Sequence, residues 1–284
     1  VSGSLRYRRR PAGALDVSGR DRAAFLQGLA TNDFRTLSPE GALWAAALSP
    51  VGKVLFTFRA APRGERIRLL LSSGRVDRAA AHLRKHAVFQ DARVEDPGPL
   101  LRFDLYGPEE PPAPPGTDAW PPFFELRATW LVPEADADAA ESGLSASGAA
   151  AIDDEEAEAQ RILAGRPTDG KDVDESRTPD EAGLAAAVST TKGCYVGQEI
   201  VARMRTYGRT PRRLVRFRFD GTEAVAPGTR LFLPERPEEE RGRVTSSAVW
   251  AGAAVALGLA ARDVADGAVL AESGGRLARV EPLS

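Results

Sequence analysis

From Leu214 onward the chain breaks into short runs rich in strand-forming residues, at 214–219, 229–233, 243–250, 254–260, 268–271 and 277–280, parted by Gly, Pro and Asp. In the first run Val215, Phe217 and Phe219 share one face and Arg216 and Arg218 the other, the period-two pattern of a half-buried strand. Several short strands with turn residues between them are expected to close into a small antiparallel barrel. A domain boundary is placed near Thr210 and Pro211, giving a C-terminal barrel domain over 210–284.

Upstream, helices and strands alternate, so the fold class is α+β. Ser18-Gly19-Arg20-Asp21 has the form of a capping box, predicting a helix that buries Phe25, Leu26 and Leu29 and ends at Thr31-Asn32-Asp33. Strands over 42–48 and 54–59 flank Ser49-Pro50-Val51-Gly52-Lys53 and read as a hairpin, followed by a strand at 66–71 and a helix at 75–88. After a strand at 100–106, seven prolines between Gly107 and Pro122 predict an extended surface connection, and a strand returns at 123–132. Ala-, Asp- and Glu-rich sequence over 133–164 suits helices, with Asp153 to Glu158 early and Arg161 late in the second, as a helix dipole favours. A short helix is expected over 179–187, and a short strand or helical turn over 200–204.

A length of 284 residues suits about two domains, with room for a smaller third. The net charge of −2 gives no overall electrostatic case for nucleic acid, although the run from Arg203 to Arg218 could form a local basic patch. One cysteine excludes an intrachain disulfide and a multi-thiolate metal site within one chain, and fits a reducing, cytoplasmic setting. The basic stretch 1–10 is followed by no apolar h-region, and the longest apolar run, 249–261, is broken by glycines and too short for a bilayer. No membrane association is expected.

The densest set of unusual residues is Lys192-Gly193-Cys194-Tyr195-Val196-Gly197-Gln198-Glu199, followed by Arg203 and Arg205. A neighbouring cation such as Lys192 favours a thiolate over its free pKa of roughly 8.5, and the glycines permit unusual backbone angles or close approach. The loop is therefore either reactive or a buried structural cysteine in a glycine-rich turn. His82 and His86 stand at i and i+4 but lack further ligands, so no metal site is assigned. Residues 165–172 nearly spell a phosphate-binding loop but end in Asp172 where a hydroxyl is needed, and follow a predicted helix rather than a strand.

Arg161-Ile162-Leu163-Ala164-Gly165-Arg166-Pro167, then residues 179–184, the 192–199 run and Arg212-Arg213-Leu214 are similar in order and spacing to the YgfZ branch of the aminomethyltransferase-like (GcvT-like) folate-binding superfamily. The N-terminal words Phe25-Leu26-Gln27-Gly28, Thr31-Asn32-Asp33 and 48–53 agree, so the resemblance covers nearly the whole chain and is weakest over 108–151. It implies a tetrahydrofolate-binding protein, with two α+β subdomains at about 1–106 and 107–209 around a central opening, and a C-terminal antiparallel β-barrel. It also implies an accessory role in iron–sulfur enzyme maturation or repair and in tRNA modification, with a client such as a radical-SAM tRNA methylthiotransferase. Cys194 is the candidate active residue. For folate or a one-carbon derivative, Arg161, Lys192 and Arg203 are candidate cations, Glu199 or Asp33 candidate pterin acceptors, Tyr195 a candidate wall, and Gln198 a further candidate contact. Leu163 replaces the acid of the RxEAG stretch in the glycine-cleavage enzymes. A folate-dependent aminomethyl- or methyltransferase is the first alternative, and an RNA-binding module using the 203–218 arginines the second.

Overall fold

The computed structural model describes residues 4–208 and 210–283. Val1 to Gly3, part of the basic N-terminal stretch, Arg209, part of the 203–218 run, and Ser284 lie outside the described residues. The chain divides into two compact units, Val1–Ile152 with Ala186–Gln198, and Asp153–Ala185 with Glu199–Ser284. Each is therefore built from two separate stretches of sequence.

The first unit contains β1 (Arg6–Pro11), β2 (Gly13–Ser18), α1 (Arg22–Leu29), β3 (Leu43–Leu48), β4 (Val54–Arg63), β5 (Arg66–Leu71), α2 (Val76–His86), β6 (Arg93–Glu95), β7 (Leu100–Tyr106), β8 (Asp118–Trp120), β9 (Ala128–Pro133), α3 (Ala137–Ala146) and β10 (Ala150–Ala151). Its two five-stranded sheets have the orders β10-β1-β7-β9-β8 and β3-β4-β5-β2-β6. The expected hairpin is β3 and β4, paired antiparallel. Helices α1 and α2 cover the second sheet through Phe25, Leu26, Ala79 and Leu83, which pack with Phe56, Phe58 and Leu69. Helix α3 buries Ala137, Ala140 and Leu144 against Phe103 and Trp130 of the first sheet. The two sheets meet through Ala61, Leu70, Trp120 and Leu131.

Three local expectations are corrected. The capping box does not form: Asp21 is the N-cap of α1 without a side-chain bond to the helix, its carboxylate accepting the Asp91 amide at 2.9 Å instead, and Ser18, the last residue of β2, gives its hydroxyl to Glu95 of the neighbouring edge strand at 2.9 Å. The proline-rich connection contains β8, which sits at the sheet edge where missing backbone donors are tolerated. The segment 179–187 forms turns and a single 3₁₀ turn at Ala185–Ala187 rather than an α-helix. The line drawn between 106 and 107 falls inside the first sheet, because β7 pairs with β1 before it and β9 after it.

The second unit contains α4 (Asp154–Leu163), most of α5 (Gln198–Tyr207), β11 (Arg212–Phe219), β12 (Arg230–Leu233), β13 (Arg236–Trp250), β14 (Ala253–Ala261), β15 (Val269–Ala271) and β16 (Leu277–Glu281). The six strands close as a barrel in the order β11-β14-β13-β12-β15-β16, and every pairing is antiparallel. The apolar run over 249–261 is explained by burial on both faces of β14. Ala254, Ala256 and Ala260 point into the barrel, while Val255, Leu257 and Leu259 pack with Ala159 and Ile162 of α4. This outer contact brings 153–185 into the barrel's unit, so the compact unit is larger than the barrel domain expected from 210 onward. No helix among the described residues is long and apolar enough to cross a membrane.

Candidate functional site

Residues 186–198 return to the first unit and are fastened to sequence words more than 130 residues earlier. Thr31 Oγ1 donates to the Ala187 carbonyl at 2.6 Å and accepts the Ala46 amide at 2.9 Å, and the Ser189 amide donates to the Thr31 carbonyl at 3.0 Å. Asn32 Nδ2 donates to the Trp44 carbonyl at 2.8 Å. A hydroxyl and a carboxamide thus join the end of α1 to β3 and to the returning segment, with Thr31, Ala46 and Ala187 buried.

Lys192 completes this junction. Its Nζ donates to the carbonyls of Gln27 at 2.7 Å, Ala30 at 2.5 Å and Asn32 at 3.0 Å. An ammonium has three protons, and all three are used. The acceptors lie at and just beyond the C-terminal turn of α1, whose carbonyls lack helical partners and carry the negative end of the dipole. Burial pushes the lysine down to about 8, against the pull of Asp33, with Arg35 adding to the lowering. The ammonium also sits 4.9 Å from the centre of the Tyr195 ring. Lys192 therefore caps a helix and braces Tyr195, a role its position two residues from the thiol did not reveal.

Asp33 is engaged as well. Its carboxylate accepts Arg35 Nε at 2.9 Å and Nη2 at 2.6 Å, the Arg35 amide at 3.1 Å and Gln27 Nε2 at 3.1 Å. The Arg35 guanidinium holds it well below the usual carboxylate range. As a pterin acceptor it would have to give up this bidentate pair.

On the other side of the thiol, Gly197 has φ +82°, and a Cβ there would lie 2.6 Å from the Ser49 carbonyl and 3.3 Å from Gly52 Cα. Only glycine lets the loop settle on the β3–β4 turn in this conformation. Gly193 needs no such freedom, since a Cβ there would meet nothing within 4 Å. Between these anchors Tyr195 is buried, whereas Gly193 and Cys194 are exposed. The reading of Cys194 as a buried structural cysteine is overturned. The loop then enters α5, whose first residue Gln198 donates its amide to the Tyr195 carbonyl at 3.2 Å. Glu199 and Arg203, one turn apart on the helix, form an exposed pair at 2.6 Å.

In the second unit Arg161 is fully committed. Nε and Nη2 donate to Glu158 at 2.9 and 2.8 Å, Nη1 to Asp172 at 2.7 Å and the Arg166 carbonyl at 2.5 Å, and Nη2 also to Ser246 Oγ at 2.7 Å. These contacts use all five guanidinium donors. Burial opposes the charge, and Asp172 and Glu158 outweigh it, so the guanidinium is stabilised further in its cationic form. Burial also favours the neutral acid at Glu158, but Arg161 and Lys171 hold it down to about 2. Asp172 accepts Thr245 at 2.5 Å and Ser246 at 2.7 Å on one oxygen, and Arg161 and the Thr168 amide on the other. The aspartate that spoils the phosphate-loop pattern is thus the hub tying α4 to β13. Thr245 and Ser246, both buried, were missed; adjacent hydroxyls within a strand run were their only sequence signal.

A folate offers pterin N–H groups, a flat ring and an anionic tail, which call for an acceptor, apolar walls and cations. Arg161, Lys192 and Asp33 are occupied by internal partners, and Tyr195 is buried beneath the ammonium. Gln198, Glu199 and Arg203 remain at the start of α5 with exposed or half-buried side chains. Of the set read from the sequence, these three keep side chains within reach of solvent, Glu199 and Arg203 as a pair. Four of the described arginines beyond them are paired locally: Arg205 with Asp180, Arg213 with Asp266, and Arg216 and Arg218 with Glu281. Among the described residues no group of three or more His, Cys, Asp or Glu could hold a metal ion. His82 instead packs edge-on to Phe56 at 5.6 Å.

No family model matches the chain. The tRNA-modifying protein YgfZ of Yersinia pestis (strain Pestoides F) is 26% identical over 234 residues, covering 76% of this chain and 71% of its own length. That of Vibrio vulnificus (strain YJ016) is 26% identical over 250 residues, covering 84% and 76%. The crystal structure of glycine cleavage system aminomethyltransferase T from Bartonella henselae superposes with a TM-score of 0.85 at 20% identity, covering 98% of this chain and 86% of that one. The fold expected from the sequence, α+β and GcvT-like with a C-terminal antiparallel barrel, is borne out.

Proposed function

Taking the chain as a member of the YgfZ branch of the GcvT-like fold, we propose that it is a tetrahydrofolate-binding accessory protein. It supports an iron–sulfur enzyme that modifies tRNA, and Cys194 is its working side chain. The observation that carries this reading is the contrast within one loop. Lys192 and Gly197 are fixed in place on either side, while the thiol between them is held out to solvent. A cysteine kept only for packing would be buried.

Folate, when bound, supplies a carrier for one-carbon units. The candidates to hold it are Arg203, whose planar guanidinium suits a tail carboxylate, and Glu199 as an acceptor for the pterin edge. The protein's own contribution is to fix the thiol close to that helix start along the chain. One thiol cannot cycle through an internal disulfide, so a client thiol, cluster or folate adduct is its reaction partner. Leu163, where glycine-cleavage enzymes carry an acid, packs against the apolar cluster of Ile162, Leu257 and Leu259, which weighs against aminomethyl transfer.

Two measurements test the reading. Titration of tetrahydrofolate into the purified protein is expected to show saturable binding that is about tenfold weaker, about 1.4 kcal/mol, in Arg203→Ala. Absence of binding, or equal affinity in the variant, removes the folate site from α5. In cells lacking their endogenous protein of this type, the wild-type gene is expected to restore methylthiolated tRNA.

A further inference from the structure

A second site lies wholly within the barrel unit, apart from the cysteine loop's sequence and independent of the folate reading. A cavity of about 480 Å³ opens where the 165–172 turn and the residues after it meet β13. Its charged lining is Lys171, Arg177, Arg243 and Glu158, three cations against one carboxylate. Two of the cations have local partners outside the lining: Arg177 faces Asp174 at 3.2 Å, and Arg243 faces Glu240 at 2.8 Å. Lys171 reaches Glu158 at 2.8 Å.

Two features make this more than a solvated dent. The Nε of Arg177 is buried without a hydrogen-bond partner among the described residues, although the side chain as a whole is only 14% exposed. A buried guanidinium donor left unmade is costly unless something completes it. The floor is also rigid, because Ser246 and Thr245 are locked by Asp172, and Ser247 exchanges hydrogen bonds with the Val225 backbone. These hydroxyls have spent their protons within the protein, and Ser246 and Ser247 also accept hydrogen bonds there, from Arg161 and the Val225 amide. The donors on offer are therefore the cations.

We infer that this cavity binds a phosphate monoester of sugar-phosphate to mononucleotide size. Arg177 and Arg243 keep guanidinium donors that Asp174 and Glu240 do not use, and these suit the oxygens of the dianion that such an ester becomes above about pH 6. The volume falls within the usual range for small-molecule pockets, about 300–1,000 Å³, and leaves room beside a phosphate for one ring. Arg177 and Arg243 grip the phosphate oxygens, and the sugar rests on the fixed floor of β13.

The test is calorimetric titration at low salt with ribose 5-phosphate, and with ribose as the uncharged control. Saturable binding of ribose 5-phosphate alone is expected. It should be at least tenfold weaker in Arg177→Gln and in Arg243→Gln, unchanged in Arg213→Gln on another part of the barrel, and weaker as the pH falls below about 6. Circular dichroism checks that each variant is folded; should Arg177→Gln be unfolded, the more exposed Arg243→Gln decides. No binding at millimolar concentration, equal binding of ribose, or undiminished binding by the folded variants overturns the inference.

Discussion

Two of the buried cations, Lys192 in one unit and Arg161 in the other, are satisfied differently. Lys192 gives its three protons to neutral carbonyls at the end of a helix, and burial lowers its pKa to about 8. Arg161 is enclosed by two carboxylates, a carbonyl and a hydroxyl, and its cationic form is reinforced. Both residues lie in the motif words that carry the resemblance to YgfZ proteins, where a cation is easily taken for a ligand's partner. Their hydrogen bonds assign both to the scaffold: one fastens the cysteine loop to α1, and the other fastens α4 to the barrel. What the first leaves exposed, and the second does not, is a thiol.

The largest effect expected is at Arg161. Arg161→Leu leaves Glu158 and Asp172 buried without their main counterion, a loss of about 3–5 kcal/mol, visible as a lowered midpoint in urea unfolding. An unchanged midpoint would break the claim that this node supports the unit. At Lys192, Lys192→Met leaves three carbonyls without a donor and should cost about 2–3 kcal/mol. It should also expose 186–198 to hydrogen exchange and proteolysis, whereas protection equal to wild type would return Lys192 to the list of ligand residues.

Gly197→Ala sharpens the contrast within the loop. The added Cβ meets the Ser49 carbonyl at a positive φ, for about 2 kcal/mol. Gly193→Ala, with open space around it, should cost well under about 1 kcal/mol. Equal losses from the two would mean that the loop is not anchored on one side as described.

A smaller effect than that of Gly197→Ala belongs to pH. His82 is held down to about 4 by burial, with further lowering from His86, Lys85 and Arg78. Its folded pKa lies below the unfolded value of about 6.5, so the unfolded chain binds the proton first. The stability it contributes is full above about pH 6.5 and is lost as the pH falls toward 4. After allowing for solvent screening at a half-buried site, the change is about 1 kcal/mol. Unfolding at pH 7 and pH 5 in wild type and His82→Phe should show that difference only in the wild type.

The barrel was legible because each strand carries its own alternation and its own turn residues, which are local signals. Helix α1 was legible from Phe25, Leu26 and Leu29, but not its start, since Ser18 has a neighbouring strand's Glu95 to bond and that strand is far away in sequence. The same reason hid the site's wiring. Lys192 stands beside Cys194 in the chain, yet its partners are at 27–32, and nothing near it announces them. Asp172 was visible only as a fault in a phosphate-loop pattern, and its partners Thr245 and Ser246 lie more than 70 residues further on. Local physics wrote the elements, and contacts across 70 to 165 residues wrote the site.

The measurement that bears most directly on the central claim compares wild type with Cys194→Ser. Both are first shown to unfold at the same midpoint, as expected for an exposed side chain. Each is then expressed in cells lacking their endogenous protein, and methylthiolated tRNA is measured. The wild type should restore the modification and Cys194→Ser should not; full restoration by the serine variant would contradict the assignment of Cys194 as the working atom of this loop.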